Sequence, residues 1–185
     1  MNQYQSLSDE ALVPLVQHQD QELFVFLVKR YHKKLVRYAK YLGANDFQAE
    51  DIVQESFIKA FINLKGFNTS KNFSSWIYRI VHNHAINFLK KEKNLQHTSL
   101  SDWLSEVIPG KVNLEKDFEI EIDKNNLKKC LDKLPIKYKE VLVLFYFEER
   151  KYKEISDILR IPINTVGIRL QRAKSKLKEI CQKKQ

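Results

Sequence analysis

Tyr152–Lys178, YKEISDILRIPINTVGIRLQRAKSKLK, divides into two amphipathic stretches around a short break. Tyr152, Ile155, Ile158 and Leu159 share one helical face, and Val166, Leu170, Ala173 and Leu177 repeat at intervals of four, three and four, so each stretch turns an apolar stripe toward a common core. Between them Pro162 lacks an N–H and disfavours α geometry at Ile161, while Asn164 and Thr165 are residues whose side chains cap a helix N-terminus. This pattern predicts a helix-turn-helix. From Arg160 to Gln185 there are eight Lys or Arg against one acid, Glu179, which is the charge distribution of a helix laid along phosphates. A merely solvated basic tail would have no reason to keep an apolar stripe beneath its charges.

Working back from this element, Leu127, Cys130, Leu131 and Leu134 have helical spacing and stop at Pro135. Val141 to Phe147 is apolar almost continuously and is expected as a buried central helix, which gives a four-helix domain over 123–185. Before it, 95–122 reads as an inter-domain linker. Seven acids and two lysines lie between Asp102 and Asp123, and Pro109-Gly110 breaks any helix there. Leu100, Trp103, Leu104, Val107 and Ile108 have helical spacing after Ser99, so a short amphipathic segment is expected inside the linker.

A first domain, 1–94, precedes the linker. Ser8 is placed to cap a helix through Leu12, Leu15 and Val16, which Pro14 should kink or shorten. Leu23, Leu27, Tyr31, Leu35, Tyr38 and Leu42 form the stripe of a helix from Gln21 to Leu42, with Gly43 as its stop. The third helix, Ala49 to Leu64, carries a core stripe of Val53, Phe57, Ala60 and Leu64. Its second stripe, Asp51, Gln54, Glu55, Ile58 and Ile62, mixes acids, an amide and aliphatic groups. A solvated face rarely carries two isoleucines, so this stripe reads as a protein-docking surface. A polar loop, Gly66 to Asn72, leads to a helix capped by Ser74 or Ser75 and running from Trp76 to about Lys93. On its outer side Trp76, Arg79, Asn83, Asn87 and Lys90 offer a ring, amides and cations, the groups that hold single-stranded nucleic acid.

Composition sets outer limits. The chain has 185 residues, 43% of them hydrophobic, with only four Gly and four Pro, consistent with two small all-α domains. A net charge of +9 points to a polyanionic partner. Met1–Val13 has neither a basic n-region nor an apolar h-region, so neither export nor membrane spanning is expected. Cys130 and Cys181, far apart in sequence, are expected as separate reduced thiols of a cytoplasmic protein. His82 and His84, two apart on a helix, point about 200° from each other and cannot chelate one ion, so neither metal nor cofactor is expected.

Taken in order, three segments resemble the extracytoplasmic-function (ECF) sigma factors, the small two-domain class of bacterial transcription initiation factors. AEDIVQESFIKAF (49–61) is similar to their region 2.2, SSWIYRIVHNHAINFLKK (74–91) to regions 2.3 and 2.4, and 134–177 to region 4. The resemblance implies a non-enzymatic promoter-specificity subunit. Asp51, Gln54, Glu55 and Ile58 would grip the coiled coil of the largest RNA polymerase subunit. Asn68, Thr69, Ser70 and Lys71, with Trp76, Arg79 and Asn83, would hold the opened minus-ten strand and a flipped base. The acidic linker would thread toward the polymerase's RNA path. Gly167, Ile168, Gln171 and Arg172 would face minus-35 bases in the major groove, with Thr165, Arg169 and Lys176 toward phosphates. An anti-sigma partner is also implied. Arg160 stands where the family customarily has glycine, so a looser turn is expected there. A free-standing regulator sharing the same helix-turn-helix is the alternative; it would need a ligand or phosphorylation site in its first domain, and no acid pocket or glycine-rich loop supplies one. A helical metal-dependent hydrolase is disfavoured by the histidine spacing.

Overall fold

The computed structural model describes residues 3–93 and 124–182. These form helices and the turns between them, with no strand among the described residues, and they divide into two compact units. The expected linker, 95–122, with its Trp103 segment, lies outside the described residues.

The first unit holds four α-helices. In α1 (Asp9–His18), Ser8 accepts a hydrogen bond from the Ala11 N–H as expected. The helix nevertheless runs through Pro14, which was expected to kink or shorten it. Proline forfeits one backbone bond there, and side chains hold α1 in place on both sides of it. Asp9 binds Arg30 and the Tyr31 hydroxyl of α2, while Gln17 donates to the carbonyls of Leu64 and Phe67 at 2.7 and 2.9 Å. The Leu64 carbonyl is one of those that the end of α3 leaves without a partner in its own helix.

Helix α2 (Phe24–Leu42) follows a 3-10 turn, Gln21–Leu23, and its expected stripe is buried at all six positions. Gly43 ends it with φ 127°, a conformation open chiefly to glycine. Helix α3 (Asp46–Leu64) begins three residues before the expected start. Asn45 and Gln48 form a reciprocal capping box, each side chain accepting from the other's backbone N–H at 2.9 and 3.0 Å. Helices α2 and α3 run antiparallel, since Phe24 packs on Phe61, His32 meets Glu50 and Lys40 meets Asp46.

Helix α4 (Phe73–Lys93) also starts early. Asn72, not Ser74 or Ser75, is its cap and accepts from the Ser75 N–H at 2.8 Å, while both serines are buried. Ile77, Tyr78, Val81, Ala85 and Ile86 face the core. His82 is buried with them at 2.9 Å from the Tyr38 hydroxyl, and desolvation, with the Lys90 charge second, pushes its pKa down to about 4.

The second unit is α5 (Lys124–Lys133), α6 (Ile136–Leu142), a π-helical turn (Val143–Phe147), α7 (Tyr152–Leu159) and α8 (Ile163–Gln182). The apolar run after Pro135 is buried from Tyr138 through Leu144 and then turns outward, leaving Tyr146 exposed. Cys130 of α5 and Cys181 of α8 were expected as separate thiols. They are joined in a disulfide, because the first and last helices of the unit pack side by side.

Candidate nucleic-acid and docking surfaces

Helix α3 has a buried face of Ala49, Ile52, Val53, Ser56, Phe57, Ala60 and Leu64, so the expected core stripe is complete. The opposite face carries Phe47, Asp51, Gln54, Ile58 and Ile62 at intervals of four, three, four and four, all exposed. Ile58 is 53% exposed and Ile62 71%, far from the burial that a wider core would require. Glu55 stays on the surface although it reaches His84 at 3.1 Å and Lys59 at 3.9 Å. Phe47, 76% exposed, extends this stripe by a full turn and was not read as part of it. Its signal was available, since it lies four residues before Asp51 on the same face. Phe61, half exposed against Phe24, flanks the other end. A row of apolar groups interrupted by carboxylates suits a partner that is partly apolar and partly cationic.

The Asn68–Lys71 loop is exposed at all four expected positions. It is ordered by its own side chain: the Asn68 carboxamide accepts from the Ser70 N–H at 2.9 Å, and the Asn68 carbonyl accepts from the Lys71 N–H at 3.0 Å. Thr69, Lys71, Phe67 and Phe73 line a shallow, open depression with Asp9, Glu10 and Val13 of α1. Trp76 is half-buried against Phe67 and Phe73, ring centroids 4.8 and 5.7 Å apart, so it supports the base of the loop and exposes only part of its ring. Arg79 is half-buried and Asn83 exposed on the next two turns, in the expected row. His82 and His84 diverge as expected, one onto Tyr38 and the other onto Glu55.

In the second unit the helix-turn-helix forms as expected, with one difference in its turn. Arg160 takes a left-handed backbone, φ 56° and ψ 43°, at a cost of about 1 kcal/mol for a non-glycine residue. The turn is tight all the same. The Ser156 carbonyl accepts from the N–H groups of Arg160 and Ile161, and the Ser156 hydroxyl donates to the Ile161 carbonyl at 2.6 Å. Helix α8 starts at Ile163, and the Pro162 carbonyl takes the Thr165 and Val166 N–H groups at 2.9 and 3.2 Å, so neither Asn164 nor Thr165 is the cap.

Val166, Leu170, Ala173 and Leu177 are buried, and the outward face of α8 is Asn164, Ile168, Gln171, Ser175 and Lys178. Of the expected base-facing positions, Gln171 is exposed and Ile168 and Arg172 are partly exposed. Gly167 is buried and offers no open surface to a base. Thr165 and Lys176 lie on the flank, Lys176 exposed with its ammonium 5.8 Å from the Tyr138 ring. Arg169 departs from expectation. Its guanidinium turns inward and meets Glu140 of α6 at 3.0 Å, with side-chain exposures of 12% and 3%. A carboxylate buried as deeply as Glu140 needs a paired cation, and Arg169 fills that need before any phosphate can claim it. The signal was Glu140 itself, the one acid between Pro135 and Phe147. Asn164, expected as a cap, and Ser175 share the open face.

The sigma-70 region 2 family profile matches residues 27–95 and the sigma-70 region 4 profile residues 124–177. The ECF RNA polymerase sigma factor SigW of Bacillus subtilis is 33% identical over 168 residues, covering 86% of this chain and 89% of that one. The ECF RNA polymerase sigma-E factor of Escherichia coli K12 is 30% identical over 181 residues, 92% of each chain. Among solved structures, CnrH in complex with the cytosolic domain of CnrY shares the fold with a TM-score of 0.71 at 21% identity, covering 96% of this chain and 99% of that one. With both sigma regions in order, each carried by its own helical unit, and curated relatives matched over nearly their whole length, this chain belongs to the ECF class of the sigma-70 family.

Proposed function

We propose that this chain joins core RNA polymerase and directs promoter-specific transcription initiation, with catalysis of RNA synthesis left to the polymerase. The observation that carries this reading is the exposed α3 stripe. Apolar side chains beside Asp51 and Gln54, on a helix whose other face is fully packed, are accounted for by a protein partner and by little else. Asp51, Gln54, Glu55 and Ile58 would bear on the coiled coil of the largest polymerase subunit. Asn68, Thr69, Ser70 and Lys71 would seat a flipped base of the melted minus-ten strand beside Trp76, Arg79 and Asn83, where stacking contributes about 1–3 kcal/mol per base.

In the second unit, Gln171, Ile168 and Arg172 would face minus-35 bases. Thr165 and Lys176 would hold phosphates, and Arg169 would brace α8 against α6 through Glu140. Such a subunit works in the cytoplasm, where polymerase and promoter are. No helix among the described residues is long and apolar enough to cross a membrane. An anti-sigma factor covering these surfaces is a further expected partner, supported by the fold shared with CnrH. Run-off transcription with core enzyme tests the reading. Wild-type protein should give promoter-specific transcripts that Asp51→Ala plus Gln54→Ala reduces at least tenfold, and equal transcription from both would remove the docking assignment.

A further inference from the structure

We infer that Cys130 and Cys181 form a reversible thiol–disulfide site that fastens the first helix of the second unit to the last turn of α8. They are the two cysteines of the chain, 51 residues apart, and packing brings their Cα atoms to 5.6 Å, within the span of a disulfide. Both are buried, Cys130 completely and Cys181 to 8% exposure. Between them lie α6, the π turn and the whole helix-turn-helix, so the bond closes a loop around the unit's working part.

The placement makes the site openable. Of the two, Cys181, in the last described turn of α8, keeps 8% exposure, so it is the sulfur that a small local opening uncovers. Cys130, in the last turn of α5 beside buried Leu131, has no exposed surface. A low-molecular-weight disulfide therefore meets Cys181 first. The Cys181 thiolate attacks one of its sulfurs, forming a mixed disulfide and expelling one small thiolate. The Cys130 thiolate then attacks the Cys181 sulfur, the internal bond forms and the second small thiolate leaves. The two protons lost by the cysteines end on the two small thiols, so one small disulfide is reduced for each internal bond made. Once made, the bond restricts the unfolded chain more than the folded one, and the unit holding α8 becomes harder to open.

The test uses full-length protein equilibrated in glutathione buffers from fully reduced to fully oxidised, quenched by alkylation in denaturant and weighed intact. Wild-type protein should pass from two alkyl adducts to none in one two-thiol step, return with dithiothreitol, and melt about 10 °C or more higher in the second unit when oxidised. Cys130→Ala, which keeps a small buried side chain, should show no such shift and should carry one glutathione on Cys181. Cys181→Ser serves the same purpose should the first variant fold poorly. Three results would overturn the inference: both thiols alkylating in every buffer, two separate glutathione adducts without an internal bond, or a bond that folded protein retains in excess dithiothreitol.

Discussion

Helices α3 and α8 are nearly equal in length, 19 and 20 residues, and each buries one face while showing another. What they show differs in kind. Along α3 the outward row is Phe47, Asp51, Gln54, Ile58 and Ile62, apolar at both ends with acid and amide between; along α8 it is Asn164, Ile168, Gln171, Ser175 and Lys178, polar except for one isoleucine, with cations on its flank. An exposed phenylalanine or isoleucine gains only when a partner excludes water from it, so the α3 row suits a dry protein contact. Amides, hydroxyls and cations keep their value beside water, which suits a hydrated polyanion. The same contrast separates two charged residues that each hold an ion pair within their own unit. Arg169 belongs to the inside of its unit, whereas Glu55, although bonded to His84, remains on the surface of its own.

The largest expected effect falls on that inward pair. Glu140→Ala leaves the Arg169 guanidinium buried without a counter-charge and should cost about 3–5 kcal/mol of stability, read from urea unfolding, whereas Lys176→Ala should leave the same midpoint unmoved. If both substitutions behave alike, Arg169 is not the structural member of the basic set. In the first unit, His82 titrates near 4 when folded and near 6.5 when unfolded, so as pH falls below about 6.5 the unfolded chain takes the proton first. Stability is full above that pH and should decline by about 3 kcal/mol on the way to pH 4, a slope that His82→Gln should flatten while the second unit is unaffected.

On α3, Ile58→Asp should weaken polymerase binding by at least about 2 kcal/mol with no loss of folding, and Phe47→Ala should act in the same direction. A binding isotherm unchanged by both would end the case for a dry contact. Arg172→Ala should reduce discrimination among minus-35 duplexes by about 1–3 kcal/mol per altered base pair. Smallest is Lys176→Ala, which should weaken binding to every duplex similarly and lower the salt slope by about one.

The stripes were readable from residue spacing alone because a helix buries every third or fourth residue regardless of its neighbours. Leu23 to Leu42, along the 3-10 turn and α2, and Val166 to Leu177 in α8 are buried at every expected position. The exposed α3 stripe was readable for the converse reason, since two isoleucines stood among acids where the core stripe was already complete. What could not be read depends on partners distant in sequence. Arg169 has the same appearance as Arg172 until α6 brings Glu140 beneath it. Cys130 and Cys181 are two unremarkable apolar-face cysteines until α5 and α8 are laid together. Near helix ends the difficulty is rivalry. Asn72, Ser74 and Ser75 can each cap a helix, and the burial of the two serines in the core decides for Asn72. In the turn, glycine's absence suggested looseness, and a hydroxyl four residues upstream of Arg160 supplied the closure instead.

The Asn68 loop and the Asn72 cap carry one more consequence. Because Asn68 and Asn72 hold their own backbone neighbours at 2.9 and 2.8 Å, the chain from Asn68 to Ser75 has its shape before any ligand arrives. On the proposed reading of this loop, an incoming nucleotide would have little disorder to quench, and its binding free energy would not be spent on shaping the receptor. Thr69 and Lys71, which take no part in those bonds through their side chains, are free to vary. On the same reading, such a mould could be re-lettered at two positions without being recast, a short mutational route from one promoter preference to another.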